Sequence, residues 1–375
     1  MKRAVLCMLL FWGCGEPETA APPCEPRPFD ADFAEARDPA SPSIARARSI
    51  ADRYMRVHPA TSMAFDWGEG VLMLSLVDLY RVTGDTALRD YVAAWLDHHI
   101  AVGYVDTLTA SDRCPPAASA LALYAENCRA DYREMVDRTL HYLYEEALRD
   151  GEGGINHLGT VDLFGVTLWL DSLFMFGTVL TRWGAYAADD RALDEQEHQI
   201  ELFASHLQDA GGLLLHAFNW GGQDPNVFWA RGNSWVTAAA YEYLGVRPDE
   251  EIRTIANAQA SALVALQDPA TGLWWTVLNR PGETYLETSA SALFAAGLAR
   301  GYRVGALDAA VLPNITLALQ GIESRLVDQD GPVVTGISGP TTVGDFDHYA
   351  SIELGDDIHY GVGAVILALV ETSGL

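Results

Sequence analysis

From Ser43 onward, apolar residues recur at three-and-four spacing, the mark of helices buried along a face. LMLSLVDLY (Leu72 to Tyr80) and TSASALFAAGLARGY (Thr288 to Tyr302) show it plainly, and strand-like alternation is scarce. Glycine turns punctuate the helices. RDGEGGI places Gly154, QDAGGLL Gly212, QDPATGLW Gly272 and DQDGPVV Gly331, at steps of 58, 60 and 59 residues. A fixed period of that size signals a repeat architecture. Each unit runs from a glycine turn through a long irregular loop into a helix rich in Ala, Gly and Ser. That helix ends near an aromatic, as at Tyr80, Tyr124, Trp183, Tyr243 and Tyr302, and a second helix leads to the next turn. The first helices carry little charge and read as buried on most sides, whereas second helices such as DEQEHQIELFASHL keep a charged face. Six first helices can be counted, ending with GVGAVILALVE (Gly361 to Glu371). The pattern predicts an all-α (α/α)6 barrel over residues 43–375, an inner ring of six helices inside an outer ring. An open α-solenoid is the other arrangement of such repeats.

The N-terminus is different. Residues 1–13, MKRAVLCMLLFWG, place two positive charges before a short apolar run, the layout of a signal peptide. Cys14 directly follows and sits where a bacterial lipoprotein carries its lipid. The expectation is export, to the periplasm, as a membrane-anchored lipoprotein or outside the cell. Residues 14–42, rich in Pro, Glu and Ala, read as a flexible tether. Cys114 and Cys128 either pair in an oxidising compartment or remain two buried thiols, and Cys24 has no evident partner.

Composition narrows the chemistry. The 375 residues carry 24 basic and 51 acidic side chains, a net charge of −27, which argues against a nucleic-acid partner. Lys2 is the only lysine and falls within the signal segment, so Schiff-base and P-loop chemistry are excluded from the mature chain. GxGxxG, GxSxG, HExxH and CxxC are all absent, and neither a cofactor nor a metal is expected.

The chemistry-bearing residues instead precede the inner helices: Trp67 and Glu69 the first, Asp112 the second, Asp171 the third, His216, Trp229, Arg231 and Asn233 the fourth, Tyr285 and Glu287 the fifth, and His348, Tyr349, His359 and Tyr360 the sixth. Inner helices of such a barrel run in one direction, so these loops meet over one mouth, ringed by helix N-termini that favour an anion. Taken singly, each residue has a plain structural use: Asp171 and Asp112 as helix-start acids, His216 as a buried histidine, Arg231 in an ion pair. Together, two carboxylates, a histidine, an arginine and several aromatics in a concave mouth suit a sugar.

Those same segments resemble the unsaturated uronyl hydrolases, namely the unsaturated rhamnogalacturonyl hydrolases of glycoside hydrolase family 105 and the unsaturated glucuronyl hydrolases of family 88. DWGEGVLMLSLVDLYRVTGD, WLDSLFMFG, LLHAFNW, FWARGNSWVTAAAYEYL, TGLWWTVLN, YLETSASALFAAGLARGYR and YGVGAVILALVE carry the resemblance over residues 66 to 371. The resemblance implies an (α/α)6 barrel, with Asp171 of WLDSLFM as general acid and base and Asp112 as a second essential aspartate. It also implies that His216, Trp229 and Arg231 line the substrate pocket, where Trp67, Asn233 and Tyr285 are further candidates. The implied substrate is an oligosaccharide bearing a nonreducing 4,5-unsaturated uronate left by a polysaccharide lyase. Asp171 then protonates C4 and water adds at C5, a sequence that calls for a raised pKa on Asp171, expected from burial and Asp112. The alternatives are another (α/α)6 sugar enzyme, an epimerase or saturated-glycan hydrolase, or a glycan-binding lipoprotein without activity. The oligomeric state is not encoded in any feature of the sequence.

Overall fold

A computed structural model describes residues 24–27, 33 and 36–375. The expected signal segment 1–13 and Cys14 lie outside these residues. Among them, twelve long helices alternate between outer and inner positions. The outer helices are α1 (Pro42–Val57), α3 (Thr86–Val102), α5 (Ala130–His141), α7 (Asp190–Leu207), α9 (Glu250–Leu266) and α11 (Leu312–Glu323). The inner helices are α2 (Trp67–Thr83), α4 (Pro116–Asn127), α6 (Gly177–Ala187), α8 (Ala230–Val246), α10 (Thr288–Arg303) and α12 (His359–Glu371). Each inner helix packs on the next, and α12 packs on α2. The ring is closed, so the chain is an (α/α)6 barrel rather than an open solenoid.

Aspartates start three of the six outer helices. Asp85, Asp189 and Asp249 cap α3, α7 and α9 by accepting backbone N–H bonds, which uses part of the acidic composition. Small residues explain how six inner helices fit. A Cβ on Gly363 would lie within 3.0 Å of the Leu72 backbone, and one on Gly297 would meet the Thr237 backbone at 3.0 Å. Neighbouring inner helices therefore touch through their main chains at these points.

The repeat is more regular than its glycine spelling suggests. The turn residue of the first unit is Gly153, not Gly154. Gly153, Gly212, Gly272 and Gly331 all have left-handed backbone (φ +93, +94, +76 and +108), at steps of 59, 60 and 59 residues. Two residues past the turn, Ile155 bridges to Arg149 and Leu214 to Gln208, so the chain leaves α5 and α7 along the same path.

Short antiparallel ladders then carry the chain into the mouth. β1 (Leu168–Trp169) pairs with β2 (Ala217–Phe218), and β3 (Trp274–Trp275) with β4 (Leu286–Glu287). β5 (Leu326–Asp328) pairs with β6 (Pro332–Val334), and β7 (Ile337–Ser338) with β8 (Leu354–Gly355).

The cysteines pair differently from expectation. Cys24 forms a disulfide with Cys128, and Cys114 is a free, buried thiol. Cys128 caps α4 with left-handed backbone and, partly buried, packs with Cys24 against the edge of the core. At the far end of the ring, Arg37 pairs with Glu371 at 2.7 Å, fixing a second point of the N-terminal stretch.

Candidate active site

The β1–β2 ladder builds the centre. Trp169 faces Ala217 in register, and the Leu170 N–H donates to the His216 carbonyl at 3.0 Å. Asp171, one residue on, begins the helical turn Ser172–Met175 that leads into α6. This register sets His216 beside Asp171, with Nε2 3.1 Å from Oδ2. On its other side, His216 Nδ1 lies 2.9 Å from the Tyr349 hydroxyl, which accepts from the Gly344 N–H at 3.1 Å. The chain of donors assigns the tautomer. Gly344 N–H donates to Tyr349, the Tyr349 O–H to Nδ1, and Nε2–H to the Asp171 carboxylate.

Asp112 sits in the short turn Ser111–Arg113 ahead of α4. Its nearest imidazole is His157, whose Nε2 is 3.9 Å from Oδ2, too long for a hydrogen bond. His157 is instead held through Nδ1, 3.0 Å from the Ser172 hydroxyl, and stacked flat on Trp169 at 4.3 Å. Arg113, adjacent in sequence, is turned away: it donates to the Phe65 carbonyl at 2.6 Å and pairs with Asp66 at 3.1 Å.

Charge is therefore distributed unevenly between the two aspartates. For Asp112, burial, the charge of Asp171 and that of Asp66 all favour the neutral acid, and Arg113 opposes them only weakly. Its carboxyl is pushed up to about 8. Burial also disfavours ionised Asp171, but the His216 hydrogen bond, with the electrostatic influence of the neighbouring imidazoles and of Arg231, outweighs it and holds the carboxyl below the ordinary range. Desolvation depresses His216 as well and takes His157 down to about 4, so His157 is a neutral imidazole near pH 7. This reverses the expected arrangement: the proton rests on Asp112, not Asp171. The reason is His216, a donor to Asp171 that Asp112 lacks. Asp112 keeps 34% of its side chain open to the mouth and Asp171 15%, so both can be reached.

Around the pair the walls are aromatic. Trp229, the residue before α8, lies 4.2 Å from the His216 ring and stacks parallel to Tyr349 at 6.0 Å. Trp67, the first residue of α2, stacks on Tyr360 at 4.4 Å. Tyr285 donates to the Tyr349 carbonyl at 3.2 Å and bonds Ser338 Oγ at 2.8 Å.

Two expected ligand residues face elsewhere. Asn233 is fully buried, donating to the Leu214 and Trp229 carbonyls and accepting from the Leu214 N–H. It fastens the loop that carries His216. Arg231 is 1% exposed, and its terminal nitrogens donate to the Ser338 and Gly339 carbonyls at 2.8 Å each and to Thr341 at 3.1 Å. The guanidinium lies over the Trp229 and Tyr360 rings at 4.8 and 4.9 Å, behind the wall it supports. Glu287 is consumed as the cap of α10, accepting from Ser289, Ala290 and Ser338 N–H groups.

His157 and Trp169 belong to the site without having been singled out from the sequence. The repeat contains the signal for His157. It lies four residues after Gly153, as His216 lies four after Gly212, and the later units put Thr276 and Thr335 at that position. Among the described residues, no group of three or more His, Cys, Asp or Glu side chains is placed to hold a metal ion.

Comparison with known proteins agrees with this architecture. The model of glycosyl hydrolase family 88 matches residues 45–374. A protein of Agrobacterium fabrum is 32% identical over 222 residues, covering 51% of this chain and 94% of that protein. An unsaturated 3S-rhamnoglycuronyl hydrolase of Formosa agariphila is 33% identical over 158 residues, 37% of this chain and 41% of that enzyme. A possible member of family GH105 from Salmonella enterica serovar Paratyphi A superposes with a TM-score of 0.75 at 27% identity, over 82% of both chains.

Proposed function

The chain belongs to glycosyl hydrolase family 88, and from that premise we propose that it removes the nonreducing 4,5-unsaturated uronate from lyase-generated oligosaccharides. One observation carries this reading: two reachable carboxyls in an aromatic mouth, one protonated and one ionised near neutrality. The Formosa relative, an unsaturated rhamnoglycuronyl hydrolase, supports the substrate class.

In the proposed mechanism Asp112 stores the proton and Asp171 delivers it. The uronate carboxylate brings negative charge beside Asp171, which raises its proton affinity and draws the proton across the coupled pair. Asp171 then protonates C4. The electrons of the C4–C5 double bond form the new C–H bond, and positive charge develops at C5, shared with the ring oxygen. Water adds at C5 and gives its proton back to the pair. The resulting hemiketal opens to a C5 ketone and leaves a hemiacetal at C1, which expels the remaining sugar. One water is consumed and no covalent sugar–enzyme intermediate forms, so the carboxylate spacing of ordinary glycosidases sets no stereochemical outcome here. Trp229 and Trp67 offer ring faces to the sugar. Arg231 contributes positive charge from behind Trp229 and holds the Ser338–Thr341 segment in place.

The reading includes export of the chain, supported by the Cys24–Cys128 bridge, since disulfides persist in oxidising compartments; the mass of the processed chain in its native host checks this. The activity test is ultraviolet absorbance of the conjugated enol acid, followed over a panel of unsaturated disaccharides. Loss of absorbance with equimolar release of the second sugar is expected. Unchanged absorbance across the panel with folded protein overturns the reading.

A further inference from the structure

Beside the mouth, and touching it through the Trp169–Trp220 ring contact, lies a groove that the reaction above leaves unused. On one side is the loop 161–165, on the other the turn 218–223 that follows β2. Between them lies a cavity of about 500 Å3. Phe164 is 64% exposed at its outer edge. Its ring meets Trp220 edge to face at 5.4 Å, and Trp220 meets Trp169 in the same way at 4.9 Å. Trp169 is the ring on which His157 stacks. An unbroken aromatic path thus runs from the aspartate pair to the surface. Trp220 rests on the buried cluster of Trp169, Ala217 and Val343, whereas Phe164 lies outside the core, and an apolar ring face in water is a binding surface for a partner with an apolar face of its own.

The polar lining defines the partner. No arginine borders the groove, and the chain has no lysine beyond Lys2. The bordering polar side chains include two carboxamides, Asn219 and Gln223, which keep hydrogen-bonding capacity beyond their bonds to Val166 and Ala217. Acids flank both sides, Asp162 in one loop and Asp224 just past the other. The imidazole on this border, His206, is already paired with Glu152 at 2.7 Å, so sulfate or carboxylate groups would find no free counter-ion here and two like charges. A neutral sugar, with C–H faces for the rings and hydroxyls for the amides, meets no such penalty.

We propose that the groove between loop 161–165 and turn 218–223 binds the uncharged sugar linked to the unsaturated uronate, and thereby selects substrates neutral at that position. This rests on the hydrolase reading. The test compares three substrates of the mature protein: an unsaturated disaccharide with an uncharged second sugar, one with a sulfated second sugar, and the methyl glycoside of the unsaturated uronate. Phe164→Ala and Trp220→Ala should raise KM for the uncharged disaccharide three- to tenfold, the size of a lost aromatic stacking contact. KM for the methyl glycoside, which leaves the groove empty, should stay within twofold. Phe164→Arg should narrow the preference for uncharged over sulfated disaccharide. Unchanged KM in both alanine variants, or an equal rise for the methyl glycoside, overturns the groove while leaving the hydrolase reading intact. If the wild type turns over none of the three, the hydrolase reading fails. Tryptophan fluorescence then decides the groove: quenching by the uncharged disaccharide that is lost in Trp220→Ala supports it, and quenching absent from wild type, or identical in the variant, overturns it.

Discussion

The two ends of the inner ring hold buried acids under opposite regimes. At the end away from the mouth, Asp78 of α2 is fully buried and accepts from Arg182 at 2.9 and 2.8 Å and from Arg81 at 3.0 Å. Arg182 reaches on to Glu242, Glu242 to Arg300, and Arg300 with Arg37 to Glu371. Burial alone would raise Asp78, but Arg182, Arg81 and Arg300 drive its carboxyl far below the ordinary range. At the mouth, Asp112 is less deeply buried but has no facing guanidinium, and with the charges of Asp171 and Asp66 beside it its carboxyl rises to about 8. Arginine therefore decides which end is structural and which is chemical. The paired end ties α2, α6, α8, α10 and α12 together, and the unpaired end keeps a proton available.

The largest effect that sharpens this contrast belongs at the mouth. Asp171→Asn removes the group that transfers the proton while keeping its size and its place beside His216. Turnover should fall about 10³-fold or more, within the range of general acid–base catalysis, with the melting temperature within a few degrees of wild type. Turnover within tenfold of wild type would break the assignment of chemistry to this end.

The next effect belongs to the far end and has the opposite signature. Arg182→Met leaves Asp78 and Glu242 without their shared partner. Removing one side of a buried ion pair costs about 3–5 kcal/mol. Urea unfolding should show that loss, while kcat per folded molecule stays near wild type. A variant that keeps its stability but loses kcat would mean that the two ends are coupled rather than separate.

The same contrast explains what could be read from the sequence. The barrel was legible because it rests on periodicity: small apolar helices, charged outer faces and glycine turns at a near-constant step. Asp171, His216 and Trp229 were legible because each sits in a short motif; the β1–β2 ladder sets Asp171 beside His216, and Trp229 packs on the His216 ring. Side-chain direction was not. Asn233 and Arg231 sit in the right segment, yet the Leu214, Ser338 and Gly339 carbonyls that claim them come from other loops. His157 was obscured by a one-residue error in the turn glycine, which hid its equivalence to His216. The order of proton affinities depends on which aspartate faces an imidazole donor at 3.1 Å and which at 3.9 Å, a distinction set only by the fold. The Cys24–Cys128 bridge joins positions 104 residues apart with no pattern to link them.

The smallest effect is a stability change that depends on pH, and it follows from the cost of keeping Asp112 unpaired. A carboxyl raised in the folded state binds its proton more tightly there than in the unfolded chain. Between the ordinary aspartate value near 4 and about 8, the folded protein holds a proton that the unfolded chain has released, so stability falls as pH rises through that window and levels off above it. Asp112→Asn has no proton to lose. Its melting temperature should exceed that of wild type at pH 8.5 and converge on it at pH 4, with a gap of roughly 1–2 °C per kcal/mol recovered in a barrel of this size. Activity should change in the other direction. Wild-type turnover should decline as pH rises through about 8, where Asp112 gives up its stored proton, and the residual turnover of Asp112→Asn should lose that limb and shift toward acid, because Asp171 must then take its proton directly from solvent. Equal melting temperatures at both pH values, together with an unshifted alkaline limb, would show that Asp112 is ionised in the resting protein and that the two ends of the barrel treat their acids alike.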